Sequence, residues 1–142
     1  NGVKMPAAVI PYSPPVEFNN AIDRNHPNNK DFTVTPDGLA QLGKMYATGE
    51  QAREIYAAPY YDDFHSLPPM LLAWDQTESL AVDSEIIVEK LKTQGIEYQA
   101  KSYPDCFHAF ATTGRGTPES YEILRDTMEF INCHIGLGFQ SK

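Results

Sequence analysis

The segment YPDCFHAF, Tyr103 to Phe110, sets His108 between two phenylalanines, just after Pro104, Asp105 and Cys106. A second segment, DQTESLAVDS from Asp75 to Ser84, carries Asp75, Glu78 and Asp83. An acid on one loop and an imidazole on a neighbouring loop make the base-and-orienter half of a nucleophilic triad: the carboxylate holds the ring in one tautomer, and the ring takes a proton from a hydroxyl. Phe107 and Phe110 would limit water around a ring placed there. A loop imidazole serves equally well as a cap on backbone carbonyls, and spacing alone does not separate the two roles. Cys106 is disfavoured as a nucleophile for His108, because residues two apart in an extended segment point to opposite sides. His26 and His65 fall in loops and His134 near a helix end, without the H-E-x-x-H or comparable spacing of a metal site.

These loops need a frame. MPAAVIPY, Met5 to Tyr12, is a nearly continuous apolar run closed by Ser13-Pro14-Pro15, the pattern of a strand buried on both faces. The polar, Asn-rich stretch from Phe18 to Asp31 reads as a surface loop. Thr35-Pro36-Asp37 offers a capping hydroxyl, a proline at the first helical position and an acid in the first turn, which predicts a helix to about Gly49. A shorter helix is expected from Glu50 to Ala57, followed by the aromatic, proline-bounded loop PYYDDFHSLPP.

Met70 to Trp74, MLLAW, is a second buried-strand run. Leu80, Ile87 and Leu91, with Val88 beside them, recur at helical spacing until Gly95 stops the helix. Ile96 to Tyr103 alternates as a strand does, and Thr117-Pro118-Glu119 opens a final helix whose Tyr121, Leu124, Met128 and Ile131 form one stripe before Gly136. The order strand, helices, strand, helix, strand, helix indicates an α/β fold with a parallel sheet, in which ligands sit at the carboxyl ends of the strands. The loops after Trp74 and Tyr103 are those ends. Tyr12, Tyr60, Tyr61, Phe64 and Trp74 could line a pocket there, but core positions are the better reading.

Composition narrows the classes. The chain has 142 residues, 42% of them hydrophobic and 21% charged, enough for one modest core and within the ordinary globular range. A formal charge of −8 with scattered Lys and Arg offers no basic stripe for phosphates, so nucleic acid is not an expected partner. No apolar run approaches the ~18 residues of a membrane-crossing helix, and NGVKMPAAVI lacks the layout of a signal peptide. Cys106 and Cys133 are too few and too far apart for a metal knuckle and read as two free, partly buried thiols.

From Pro68 onward, LPPMLLAWDQTESLAVDSEIIVEKLKTQGIEYQAKSYPDCFHAF resembles the C-terminal half of α/β-hydrolase fold esterases of the hormone-sensitive-lipase-like branch. MPAAVIPYSPP resembles the strand that follows their nucleophile-bearing helix. In that family a Pro-Pro opens the strand, an acid-x-Leu motif with a later acidic pair follows, and a His-Gly-Phe triplet comes last. The matching residues are Pro68 and Pro69, then Glu78-Ser79-Leu80 with Asp83-Ser84, then His108-Ala109-Phe110. The family usually has aspartate at Glu78 and glycine at Ala109; glutamate is accepted as the acid in this fold. Asp75 lies close enough to compete, but the alignment from Pro68 to Ser84 needs no gap when Glu78 is the acid. Asp83 falls within the helix, in a supporting or surface role.

The resemblance implies a carboxylic-ester hydrolase acting on short or medium acyl esters, with His108 as general base and acid, Glu78 as its orienter and no metal or organic cofactor. Residues 1–142 would be the C-terminal portion of a single α/β-hydrolase domain. No serine here lies in the G-x-S-x-G elbow between strand and helix that the fold requires, so the nucleophile is expected outside this chain, on an N-terminal half, and the piece alone is expected to pair with that half or with itself. An oligopeptidase-like hydrolase shares this C-terminal layout. A ligand-binding module derived from the fold is the rival from another class, favoured by the missing serine and disfavoured by the retained His108.

Overall fold

A computed structural model describes residues 4–19 and 21–136. Strand β1, Met70–Asp75, lies at the centre and is buried along its whole length. Its alternate side chains feed two cores. Met70, Leu72 and Trp74 join Val16, Ile22, Phe64, Ile87 and Leu91 on one face, while Leu71 and Ala73 join Tyr103, Phe110, Ile123 and Phe130 on the other. This is why the run MLLAW reads as continuously apolar: a strand with period-two side chains and helices over both faces has no polar side. Strand β2, Tyr98–Tyr103, pairs with it in parallel, Met70 opposite Tyr98 through Asp75 opposite Tyr103.

The expected first strand runs parallel along the other edge of β1, with bridges from Val9 to Met70 and Tyr12 to Ala73. Its ladder is interrupted rather than continuous. Leu71 N–H donates to Val9 O and Ser13 N–H to Ala73 O, but Pro11, lying between those contacts, has no N–H to donate.

Three α-helices pack on this frame. Helix α1, Pro36–Tyr46, starts where Thr35 accepts the Gly38 N–H and ends three residues short of the expected Gly49. The expected helix from Glu50 to Ala57 is a five-residue 3₁₀ turn, Gly49–Arg53, entered through a left-handed Gly49. Helix α2, Ala81–Thr93, follows β1 and buries Ile87 and Leu91. Helix α3, Pro118–Ile135, opens on a reciprocal cap between Thr117 and Ser120 and closes at a left-handed Gly136. Its inward face is a correction to the sequence reading. Ser120, Ile123, Thr127 and Phe130 are buried, whereas Tyr121 and Met128 are exposed. Two stripes lie side by side on this helix, about 100° apart, and the core takes the less apolar one, whose Ser120 hydroxyl is spent in the cap and whose Thr127 hydroxyl bonds to Tyr12.

The Asn-rich segment also departs from expectation. It is no simple surface loop, because Ile22 and Arg24 within it are buried; Asn20 lies outside the described residues. Arg24 donates from Nε to Asp83 Oδ2 at 2.7 Å and from Nη1 to Glu17 Oε1 at 3.1 Å, with both carboxylates fully buried. Asp83 Oδ1 also accepts the Val16 N–H at 2.9 Å. Burial works against the Arg24 charge, but hydrogen bonds and attraction from Asp83 and Glu17 outweigh it and raise its pKa. The network fastens this segment to the first turn of α2, so Asp83 has an internal supporting role. No helix among the described residues is long and apolar enough to cross a membrane.

Candidate active site

The carboxyl ends of β1 and β2 release two turns that are tied together at once: Gln76 N–H donates to Tyr103 O at 2.8 Å. Asp75, the last residue of β1, builds the first turn and pins the second. Its Oδ1 accepts the Thr77 N–H at 2.7 Å and the Thr77 hydroxyl, and its Oδ2 accepts the Cys106 N–H. Both oxygens of Asp75 are therefore engaged in holding backbone. Glu78, three residues on, is equally buried and reaches in another direction. Its Oε1 accepts the Asp75 N–H at 3.3 Å, and its Oε2 lies 2.8 Å from His108 Nδ1. Of the two acids, Glu78 is the one in contact with the imidazole.

The side chain of His108 is 26% exposed, against 1% for Glu78. The loop reaches this position through two left-handed residues, Asp105 and Ala109, both with φ 54°. Asp tolerates that region and Ala does so at a cost, which explains on geometric grounds why a glycine suits position 109. The Ala109 N–H is taken up by Ser13 Oγ at 3.2 Å, so the end of the first edge segment helps hold the histidine turn. Phe107 lines the cleft beside the ring, but Phe110 does not. It is fully buried against Tyr103 in the core below, and so it sets the base of the turn instead of shielding the imidazole.

The cleft has a volume of ≈ 190 Å³ and is lined by both turns together with Lys30, Asp31 and Phe32 of the Asn-rich loop. Of the aromatics considered for a pocket, Phe64 and Trp74 are core, Tyr12 and Tyr60 pack against it, and none of the five lines this cleft. The hydrogen bond that His108 donates to Glu78 raises the imidazole pKa above its ordinary 6.5, burial opposes, and the charges of Glu78 and Asp31 add to the rise. Burial, with the charges of Asp75, Glu119 and Asp105, pushes the Cys106 thiol up to about 11, which leaves it protonated near neutral pH. Both cysteines are free; Cys106 is half-buried as expected, but Cys133, on the outer side of α3, is exposed.

Asp31 escaped the sequence reading. One oxygen-type or nitrogen-type donor atom from each of Asp31, Glu78 and His108 lies within 4.8 Å of the others, the arrangement among the described residues that comes nearest to a cation site. Glu78 Oε2 and His108 Nδ1 already bond to each other, and both Asp31 oxygens accept backbone N–H groups. No motif spacing links residue 31 to residues 78 and 108; only the fold does.

The wider likeness agrees with this geometry. A family model described as alpha/beta hydrolase fold matches residues 1–112, and the chain belongs to that family. It is 27% identical over 128 residues to an esterase of Acinetobacter venetianus, covering 89% of this chain and 42% of that protein. It is 27% identical over 134 residues to the esterase LipU of Mycobacterium tuberculosis, covering 89% of this chain and 45% of that one. Among solved structures, a hormone-sensitive lipase from a metagenome library superposes with a TM-score of 0.84 at 27% identity, covering 94% of this chain and 46% of that chain. The chain thus spans less than half the length of these relatives.

Proposed function

We propose that these residues form the acid and histidine side of a carboxylic-ester hydrolase whose serine nucleophile and oxyanion-hole donors lie on an N-terminal half. The observation that carries the reading is the 2.8 Å contact between Glu78 Oε2 and His108 Nδ1 at the paired strand ends. With Nδ1–H donated to Glu78, the neutral ring presents Nε2 as its basic nitrogen. Nε2 takes the proton of the serine hydroxyl as that oxygen attacks the ester carbonyl. The resulting imidazolium is stabilised by Glu78 and returns the proton to the departing alkoxide, leaving an acyl-enzyme. Water, deprotonated by the same nitrogen, then attacks the acyl carbon, and the imidazolium gives that proton to the serine oxygen as its bond to the acid breaks. The relatives named as esterases support an ester substrate, and the resemblance favours short or medium acyl chains.

The test is turnover of p-nitrophenyl esters of graded acyl length by the whole protein. His108→Ala should lower kcat by on the order of 10⁶ and Glu78→Gln by on the order of 10⁴, with KM little changed. Asp75→Asn should act mainly on folding. Ester turnover that survives His108→Ala would remove the reading, and ligand binding without turnover in the wild type would favour a binding module.

A further inference from the structure

Asp31 lies some fifty residues before the turn that carries Glu78, in a loop whose polar composition alone suggests nothing beyond solvent exposure. The structure holds its carboxylate from four directions. Oδ1 accepts the Thr33 N–H at 2.9 Å, the Thr33 hydroxyl at 2.8 Å and the Val34 N–H at 2.9 Å, and Oδ2 accepts the Ser79 N–H at 3.1 Å. Burial disfavours the charge, but these donors outweigh it and hold the carboxyl below its ordinary range. Asp31 is therefore anionic and fixed wherever the site operates near neutrality.

The loop around it grips the acid turn at three successive residues. Lys30 N–H donates to Thr77 O at 2.8 Å, His26 Nε2 meets Glu78 O at 3.0 Å, and Asn29 Nδ2 donates to Ser79 Oγ at 2.9 Å. With the Ser79 N–H taken by Asp31, both peptide groups flanking the Glu78 side chain are pinned from the same loop. The direction in which Glu78 leaves the backbone is thereby set by residues 26–31, which the Arg24 network in turn fastens to α2.

We propose that Asp31 is a positioning residue of this site, acting through Glu78 and His108: it locks the peptide after Glu78 and sets a second fixed carboxylate beside the Glu78–His108 pair. The proposal rests on the hydrolase reading above. Its chemical sense lies in the moment of proton transfer, when the imidazole becomes a cation. Two carboxylates then face it, one in contact and one within 4.8 Å, and neither must reorganise to do so. The other titratable or charged groups around the ring are Asp75 on the acid turn, Asp105 and Cys106 on the histidine's own loop, and Lys30 and His26 on the Asn-rich loop. Lys30 pairs with Asp105 at 2.6 Å, both largely exposed, so this cation is drawn toward the outer rim of the cleft.

The deciding measurement is the titration of the His108 ring by NMR in the whole protein, alongside the pH profile of kcat. Asp31→Asn should move the ring's midpoint to lower pH, move the acid limb of kcat with it, and lower kcat by about 10–100-fold with KM nearly constant. Asp31→Ser, charge-free with a hydroxyl acceptor, should do the same and serves if the asparagine variant does not fold. Asn29→Ala, which cuts the strap to Ser79 Oγ together with the Asn29 bonds to Arg24 O and the Asp31 N–H but keeps the Asp31 charge, should leave the midpoint in place. An unchanged midpoint in a folded Asp31 variant overturns the proposal, as does an equal shift in Asn29→Ala. Because the ring titration needs no turnover, it separates this outcome from failure of the hydrolase reading, which shows as ester turnover that outlasts His108→Ala.

Discussion

At the scale of single residues, His108 has Nδ1 committed to Glu78, while its Nε2 has no hydrogen-bond partner among the described residues. Its contact with Glu78 raises the imidazole pKa, and the sign of the consequence differs between stability and rate. The pairing with the imidazolium contributes stability fully below 6.5, the unfolded value, and loses it as pH rises through the higher folded midpoint. A base must be neutral to act, so kcat for ester hydrolysis should instead rise with pH through that midpoint. Glu78→Gln should move this limb to lower pH, and a pH–rate profile of the two proteins checks it. Ala109, in the left-handed region with φ 54°, carries a Cβ cost that glycine would not. Ala109→Gly should stabilise the fold by about 0.5–1 kcal/mol, the removed strain being partly offset by a more flexible unfolded chain, as read from urea unfolding midpoints.

At the scale of elements, the site depends on how a loop and two helices are joined. Arg24 sits between fully buried Glu17 and Asp83, and Arg24→Met would strand two carboxylates in the interior. A loss of about 3–5 kcal/mol is expected in denaturant unfolding, whereas replacing all three residues by apolar ones of similar volume should cost much less. Gly43 marks another close joint. A Cβ built there would overlap Phe18 O and Phe18 Cβ, so Gly43→Ala should cost about 1–3 kcal/mol as α1 is pushed off the loop. The regular elements were legible in the sequence because their signals are local: Thr117-Pro118 at the start of α3, Gly95 after α2, and the unbroken apolar run of β1. The turns bearing Glu78 and His108 could be found because strand ends are where such a sheet places its ligands. Asp31, Asn29 and His26 could not, since their partners lie about fifty residues away and polar loop residues have no period. Helix α3 misled in the opposite way, because its buried face carries Ser120 and Thr127, polar residues that apolar periodicity passes over.

At the scale of the whole molecule, the described residues make a two-stranded parallel sheet with a bridged segment along its other edge and helices on both faces, and the chain spans less than half the length of its relatives. Leu42, Met45 and Tyr46 on α1 and Tyr121, Met128 and Ile135 on α3 remain exposed in this chain. Apolar surface of that extent favours association. The 142-residue chain expressed alone should therefore sediment as species larger than a monomer at micromolar concentration, and a single monomeric boundary would contradict this. The central claim, that Glu78 and His108 arm a serine, is tested most directly by the rate of fluorophosphonate labelling of the whole protein, read by intact mass. One label per active site in the wild type, with labelling slowed by on the order of 10⁴ or more in His108→Ala, is the expected result. Absence of labelling in the wild type, or labelling at an equal rate in the variant, would contradict it.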